Sequence, residues 1–111
     1  MKQIELDNVE GDFVECGVWR GGNLILFQKM IEKLNLNNRK IFAYDTFSGM
    51  NQPGQSDFNI NNESANDIMN LLKKKRVDPE KNIIFAKCDL ESVKKNYEMH
   101  TEKNNNLICI K

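Results

Sequence analysis

The residues best suited to chemistry in this chain lie where a short strand runs straight into glycines. Residues 14–22 read Val-Glu-Cys-Gly-Val-Trp-Arg-Gly-Gly, with Glu15 at the strand's carboxyl end and Gly17, Gly21 and Gly22 leading into a helix. In an open α/β sheet, ligands bind in the crevice beyond the carboxyl ends of the strands. Glycines there let backbone approach a ligand and adopt conformations that a side chain forbids. The E-x-G-x-x-x-G spacing differs from the G-x-G-x-x-G of dinucleotide folds, and a carboxylate at this point would repel a pyrophosphate. It suits instead a ligand carrying a cationic amino group. The spacing taken by itself fits a purely structural glycine turn equally well.

Two further acids sit in comparable places. Asp45 closes a second apolar run, at the separation from the glycine turn where Rossmann-like folds bind ribose hydroxyls. Asp89 follows a third such run. Each alone is commonly a cap on the loop after a strand. Three acids at three consecutive strand ends, on one rim, make a binding site the stronger reading.

Alternating strands and helices must position these residues. Residues 12–16 form the first strand. From residue 23 to 34, Leu24, Phe27, Ile31 and Leu34 recur at three- and four-residue spacing, one face of an amphipathic helix that Met30 widens. Residues 40–44 form a second strand. A polar stretch over 48–62 holds Gly49, Pro53 and Gly54, and a loop of this length often acts as a lid or binding element. A helix then starts near Ser64 as its cap, with Ile68, Leu71 and Leu72 facing inward. Lys73 to Arg76 fall in its last turn, where positive charge complements the helix dipole. Residues 82–86 predict a third strand, 91–100 a weaker helix carrying the solvated His100, and 107–110 a fourth strand. This order predicts an α/β fold: about four parallel strands with intervening helices in one domain over 1–111. The sheet would be incomplete, because the last strand has no covering helix after it.

Composition narrows the function classes. Sixteen basic and sixteen acidic side chains cancel, so no basic field points to nucleic acid. No apolar run approaches the ~20 residues of a membrane span, and the opening residues do not resemble a signal peptide. Cys16, Cys88 and Cys109 are odd in number and lack a C-x-x-C spacing, which argues against a disulfide framework and for the cytoplasm.

Residues 11–22 followed by Tyr44-Asp45-Thr46-Phe47-Ser48-Gly49 resemble the macrocin O-methyltransferase family of class I S-adenosylmethionine-dependent methyltransferases. That family has a "VE-G-VWRGG" turn and then a "DSF-G" loop, and this chain matches both in order, with Thr46 in place of the usual Ser. The resemblance implies a Rossmann-like fold and O-methylation of a small-molecule hydroxyl, such as one on a sugar. It implies that Glu15, Gly17 and Gly21 line the methionine and ribose side of an S-adenosylmethionine site, with Arg20 and Gly22 of the same turn among the cofactor-binding residues. It further implies that Asp45 holds the ribose, with Thr46 and Phe47 beside the adenosine and Asp89 near the adenine. The match leaves open whether Trp19 and Arg20 touch ligand or brace the turn. The family's Mg2+ ligands and catalytic base fall after the strand at 107–110, so their positions would lie beyond Lys111 and no metal ligand is assigned here. The resemblance thus implies a truncated member that holds the cofactor half and is inactive alone.

Two other readings follow from the residues. One is a cofactor-binding or interaction module without catalysis, which could form a homo-oligomer through its open sheet edge. The other is a nicotinamide-dependent Rossmann enzyme, disfavoured by Glu15 and the glycine spacing.

Overall fold

A computed structural model describes residues 2–78, 81–82, 85–102 and 106–111. The strands β1 (Phe13–Cys16), β2 (Ile41–Tyr44) and β3 (Leu107–Ile110) form one parallel sheet in the order β1-β2-β3. The helices are α1 (Lys2–Leu6), α2 (Gly22–Lys33), α3 (Ala65–Lys74) and α4 (Leu90–His100). The α/β class with an incomplete parallel sheet is as expected, with three strands among the described residues. Of the strand expected over 82–86, Ile83 and Ile84 lie outside the described residues, while Asn82, Phe85 and Ala86 belong to no strand.

The residues group into two compact units, Met1–Phe47 with Cys88–Lys111, and Ser48–Lys87. In the first, alternation along the strands decides which side chains meet the helices. Register pairs Phe13 with Ile41 and Ile41 with Leu107, and Glu15 with Ala43 and Ala43 with Cys109. Those residues face the layer formed by α2 and α4. Leu24, Gln28 and Ile31 of α2 and Val93 and Tyr97 of α4 are buried there. Phe13 stacks on Phe27 at 5.5 Å between ring centroids. The amino ends of β1 and β2 are stapled, because Asp12 Oδ1 accepts from Lys40 N at 2.7 Å and Arg39 donates to the Gly11 and Val9 carbonyls.

The opposite sheet face is apolar and open, although continuous apolar strands are the mark of a sheet covered on both sides. Val14, Tyr44 and Ile108 on that face are 59%, 42% and 37% exposed.

One polar contact pins the two helices. Tyr97 Oη donates to Gln28 Oε1 at 2.8 Å in a buried setting, and Gln28 Nε2 donates to Glu32 Oε1 at 2.8 Å. Tyr97→Phe strands the Gln28 oxygen without that donor, so it is expected to cost about 1–2 kcal/mol in urea unfolding. An unchanged midpoint would show that the contact carries no stability.

In the second unit, α3 has the expected cap, Ser64, whose hydroxyl accepts from Asp67 N. Its inward face differs from the expected one. Met69 is buried, whereas Leu71 is 51% exposed and Ile68 and Leu72 are half-buried. Ile68 and Leu71 instead line an open cleft of about 500 Å3 with Phe58, Asn62 and Glu63. The Lys73–Arg76 run is exposed, as a solvated helix end should be.

Candidate functional site

The site grows out of the β1–β2 register. Cys16 pairs with Tyr44, so the next residues, Gly17 and Asp45, leave the sheet side by side. Gly17 N still donates to Tyr44 O at 2.8 Å, and the chain then turns at a left-handed φ of 87°. Trp19 is also left-handed, at φ 47°, and so is Gly21, at φ 79°. Gly21 N closes the turn on Val18 O at 2.9 Å, and Gly21 becomes the N-cap of α2, which no side chain caps. Glycine takes such φ values freely, whereas an L side chain costs roughly 1–2 kcal/mol there.

Asp45 clasps this turn. Its Oδ2 accepts from Val18 N at 2.6 Å and Trp19 N at 3.2 Å, and its Oδ1 accepts from Phe47 N at 2.8 Å. Burial pushes the Asp45 carboxyl up, but the backbone donors of Phe47, Val18 and Trp19, with the Thr46 side chain, outweigh it and hold it below the usual carboxylate value. A carboxylate offers about four acceptor sites, and these donors use most of them.

Helix α4 buttresses the turn from below. A Cβ at Gly21 would lie 3.2 Å from Val93 Cγ1, and Asn96 Nδ2 donates to Arg20 O at 3.3 Å. Asp89 starts that helix as its N-cap, with Oδ1 accepting from Ser92 N at 2.7 Å.

Glu15 is held differently. Its Oε1 accepts from Asn23 Nδ2 at 2.6 Å, and its Oε2 is buried without a hydrogen-bond partner. Trp19 Nε1 is likewise buried and unpartnered. The Arg20 guanidinium lies over the Trp19 ring, 5.1 Å from its centroid. Added Cβ atoms at Gly17 and Gly22 would meet nothing within 4 Å, so backbone there borders open space. The turn therefore offers an unpaired carboxylate oxygen, an unpaired indole donor and bare backbone in one short segment.

A family profile described as Macrocin-O-methyltransferase (TylF) matches residues 1–99. The chain belongs to the macrocin O-methyltransferase family. Similar members include demethyldecarbamoylnovobiocin O-methyltransferase of Streptomyces niveus, 36% identical over 52 residues, which are 47% of this chain and 20% of that protein. A second is the 8-demethyl-8-(2,3-dimethoxy-alpha-L-rhamnosyl)-tetracenomycin-C 4'-O-methyltransferase of Streptomyces olivaceus. It is 32% identical over 63 residues, 57% of this chain and 24% of that one. The chain is also similar in fold to the solved O-methyltransferase NovP, with a TM-score of 0.66 and 24% identity, over 97% of this chain and 39% of the other. The chain thus spans a quarter or less of the length of these two curated relatives.

In this macrocin O-methyltransferase family member, Glu15, Gly17, Arg20, Gly21, Gly22, Asp45 and Thr46 gather at the carboxyl ends of β1 and β2. Phe47, expected beside the adenosine, lies 6% exposed in the hydrophobic core at a left-handed φ of 49°. Asp89 is the N-cap of α4, and the strand expected before it, over 82–86, includes Ile83 and Ile84, which lie outside the described residues, while its described residues belong to no strand. Asn23 and Asn96 were missed. Both carry amides that fix the turn, and the only hint in the sequence was Asn23 directly after the glycine pair.

No disulfide joins Cys16, Cys88 and Cys109. Among the described residues, no helix is long and apolar enough to cross a membrane, and no three His, Cys, Asp or Glu side chains gather to hold a metal ion.

Proposed function

We propose that this chain forms the cofactor-binding half of an S-adenosylmethionine-dependent O-methyltransferase acting on a small-molecule hydroxyl, such as that of a sugar. The observation that carries the reading is Glu15 Oε2, a buried carboxylate oxygen with no partner beside a bare glycine turn. A buried polar atom left unpaired costs about 1–3 kcal/mol, and an ammonium group would remove that cost. The methionine end of the cofactor supplies such a group, and the cofactor itself brings a methyl on a cationic sulfur.

The chain's own residues divide the work. Asn23 orients Glu15 by holding Oε1, Gly17 lets the ligand lie against backbone, and Asp45 fixes the turn. Asp45 therefore acts as a positioning residue, and a ribose contact from it would have to share oxygens already bonded to backbone. The relatives' names support a hydroxyl acceptor, and three cysteines without a disulfide fit the cytoplasm. Among the described residues, no group of three His, Cys, Asp or Glu side chains fits Mg2+. The open apolar face bearing Val14, Tyr44 and Ile108 favours a second reading, an interaction module, which equilibrium sedimentation showing self-association without cofactor binding would support.

Calorimetry tests the first reading: the chain should bind S-adenosylmethionine and not NAD. Glu15→Gln keeps the shape and the Asn23 contact but loses the charge, so affinity should fall about tenfold or more. Equal affinity in the two proteins would remove Glu15 from the site.

A further inference from the structure

Resting on the cofactor reading above, we infer that the indole N–H of Trp19 binds the carboxylate of the amino-acid end of S-adenosylmethionine, opposite the ammonium held by Glu15. Two independent features of Trp19 point this way. Its Nε1 is buried without a partner, although buried donors are nearly always satisfied. Its backbone is left-handed, a conformation costly for an aromatic residue and concentrated at ligand sites. The stranded donor is the feature that decides, because Phe47 packs in the core at a left-handed φ with no donor to strand, and a phenyl ring would fill the place of Trp19 equally well.

The chemistry of the two orphaned atoms is complementary to an α-amino acid. Glu15 Oε2 is an anionic acceptor, suited to an ammonium, and Trp19 Nε1 is a neutral donor, suited to a carboxylate. They come from positions four residues apart in one turn, which Asp45 holds from one side and Asn96 from another. Arg20 stacks on the indole and adds positive charge next to the carboxylate's place. A ligand lacking the carboxylate would leave the indole N–H stranded, so the turn should distinguish S-adenosylmethionine from its decarboxylated form.

Trp19 is the sole tryptophan, so one indole resonance in a proton–nitrogen correlation spectrum reports on Nε1. That resonance should move downfield with S-adenosylmethionine and move little with decarboxylated S-adenosylmethionine. Trp19→Phe keeps the ring and drops the donor, and Phe47 shows that phenylalanine accepts a left-handed φ in this chain. The variant should bind S-adenosylmethionine about tenfold more weakly and the decarboxylated compound equally well. Its ligand-free melting temperature should not fall, since it sheds a stranded donor. Equal losses for both ligands, or a lowered melting temperature with unchanged selectivity, would make Trp19 a brace and overturn the inference alone. Wild-type protein that binds neither ligand would overturn the cofactor reading and this inference with it.

Discussion

Asp45→Ala is expected to cost about 3 kcal/mol or more of stability and to abolish cofactor binding, because it releases three backbone donors at once. Val18 N, Trp19 N and Phe47 N all donate to this carboxylate. Water can reach part of the site and replace some of these bonds, which is why the figure stays well below three full desolvation penalties. The turn would then lose what holds Trp19 left-handed, and Glu15 would lose the frame that presents it. Asp45→Asn separates charge from shape. It keeps one oxygen but places an amide donor among donors, so it should be destabilised nearly as much at neutral pH.

The pH dependence has a definite sign. The folded-state pKa of Asp45 lies below the ordinary value of 3.8, so the ionised group stabilises the fold above that value. The contribution is lost as pH falls through the lowered folded-state pKa. The gap in urea-unfolding free energy between wild type and Asp45→Asn should therefore be full at pH 7 and shrink below about pH 4. A gap that stays constant down to pH 3 would show that the carboxylate's charge plays no part in holding the turn.

The role of Asp45 marks the boundary of what the sequence shows. Periodicity gives α2, and apolar runs ending in Cys16 and Tyr44 give β1 and β2, because a helix stripe and a strand run are local patterns. An acid after β2 is also visible. Which atoms it meets depends on the pairing of Cys16 with Tyr44, a long-range register that no local pattern encodes. Asp89 poses a related problem: an Asp before Leu90 serves equally after a strand or as the cap of a helix, and the cap bond to Ser92 N shows the second role. The inward face of α3 was displaced because Ile68 and Leu71 line an open cleft while Met69 takes the buried position. Asn23 and Asn96 escaped notice since asparagine is abundant in the loops, and an amide that fixes a turn looks the same in sequence as one that faces water.

Gly21→Ala should be the more damaging of two glycine substitutions, and its comparison with Gly17→Ala separates architecture from ligand space. Both residues are left-handed, so alanine strains each by roughly 1–2 kcal/mol. At Gly21 the new Cβ also lies 3.2 Å from Val93 Cγ1. Val93 is fully buried and β-branched, so it has little freedom to turn away. Helix α4 would have to move, drawing Asn96 from the Arg20 carbonyl. Overpacking of this kind adds about 1–3 kcal/mol, for a total of about 2–5 kcal/mol. In a Val93→Ala background the clash is absent, so Gly21→Ala should cost only its backbone strain, and the double-mutant cycle should show a coupling of about 1 kcal/mol or more. Strict additivity would mean that α4 already yields at no cost. At Gly17 the Cβ meets nothing within 4 Å, so alanine there should cost backbone strain alone in stability. If the cofactor lies against that bare backbone, the same methyl intrudes on it, and Gly17→Ala should weaken S-adenosylmethionine binding more than its melting temperature suggests.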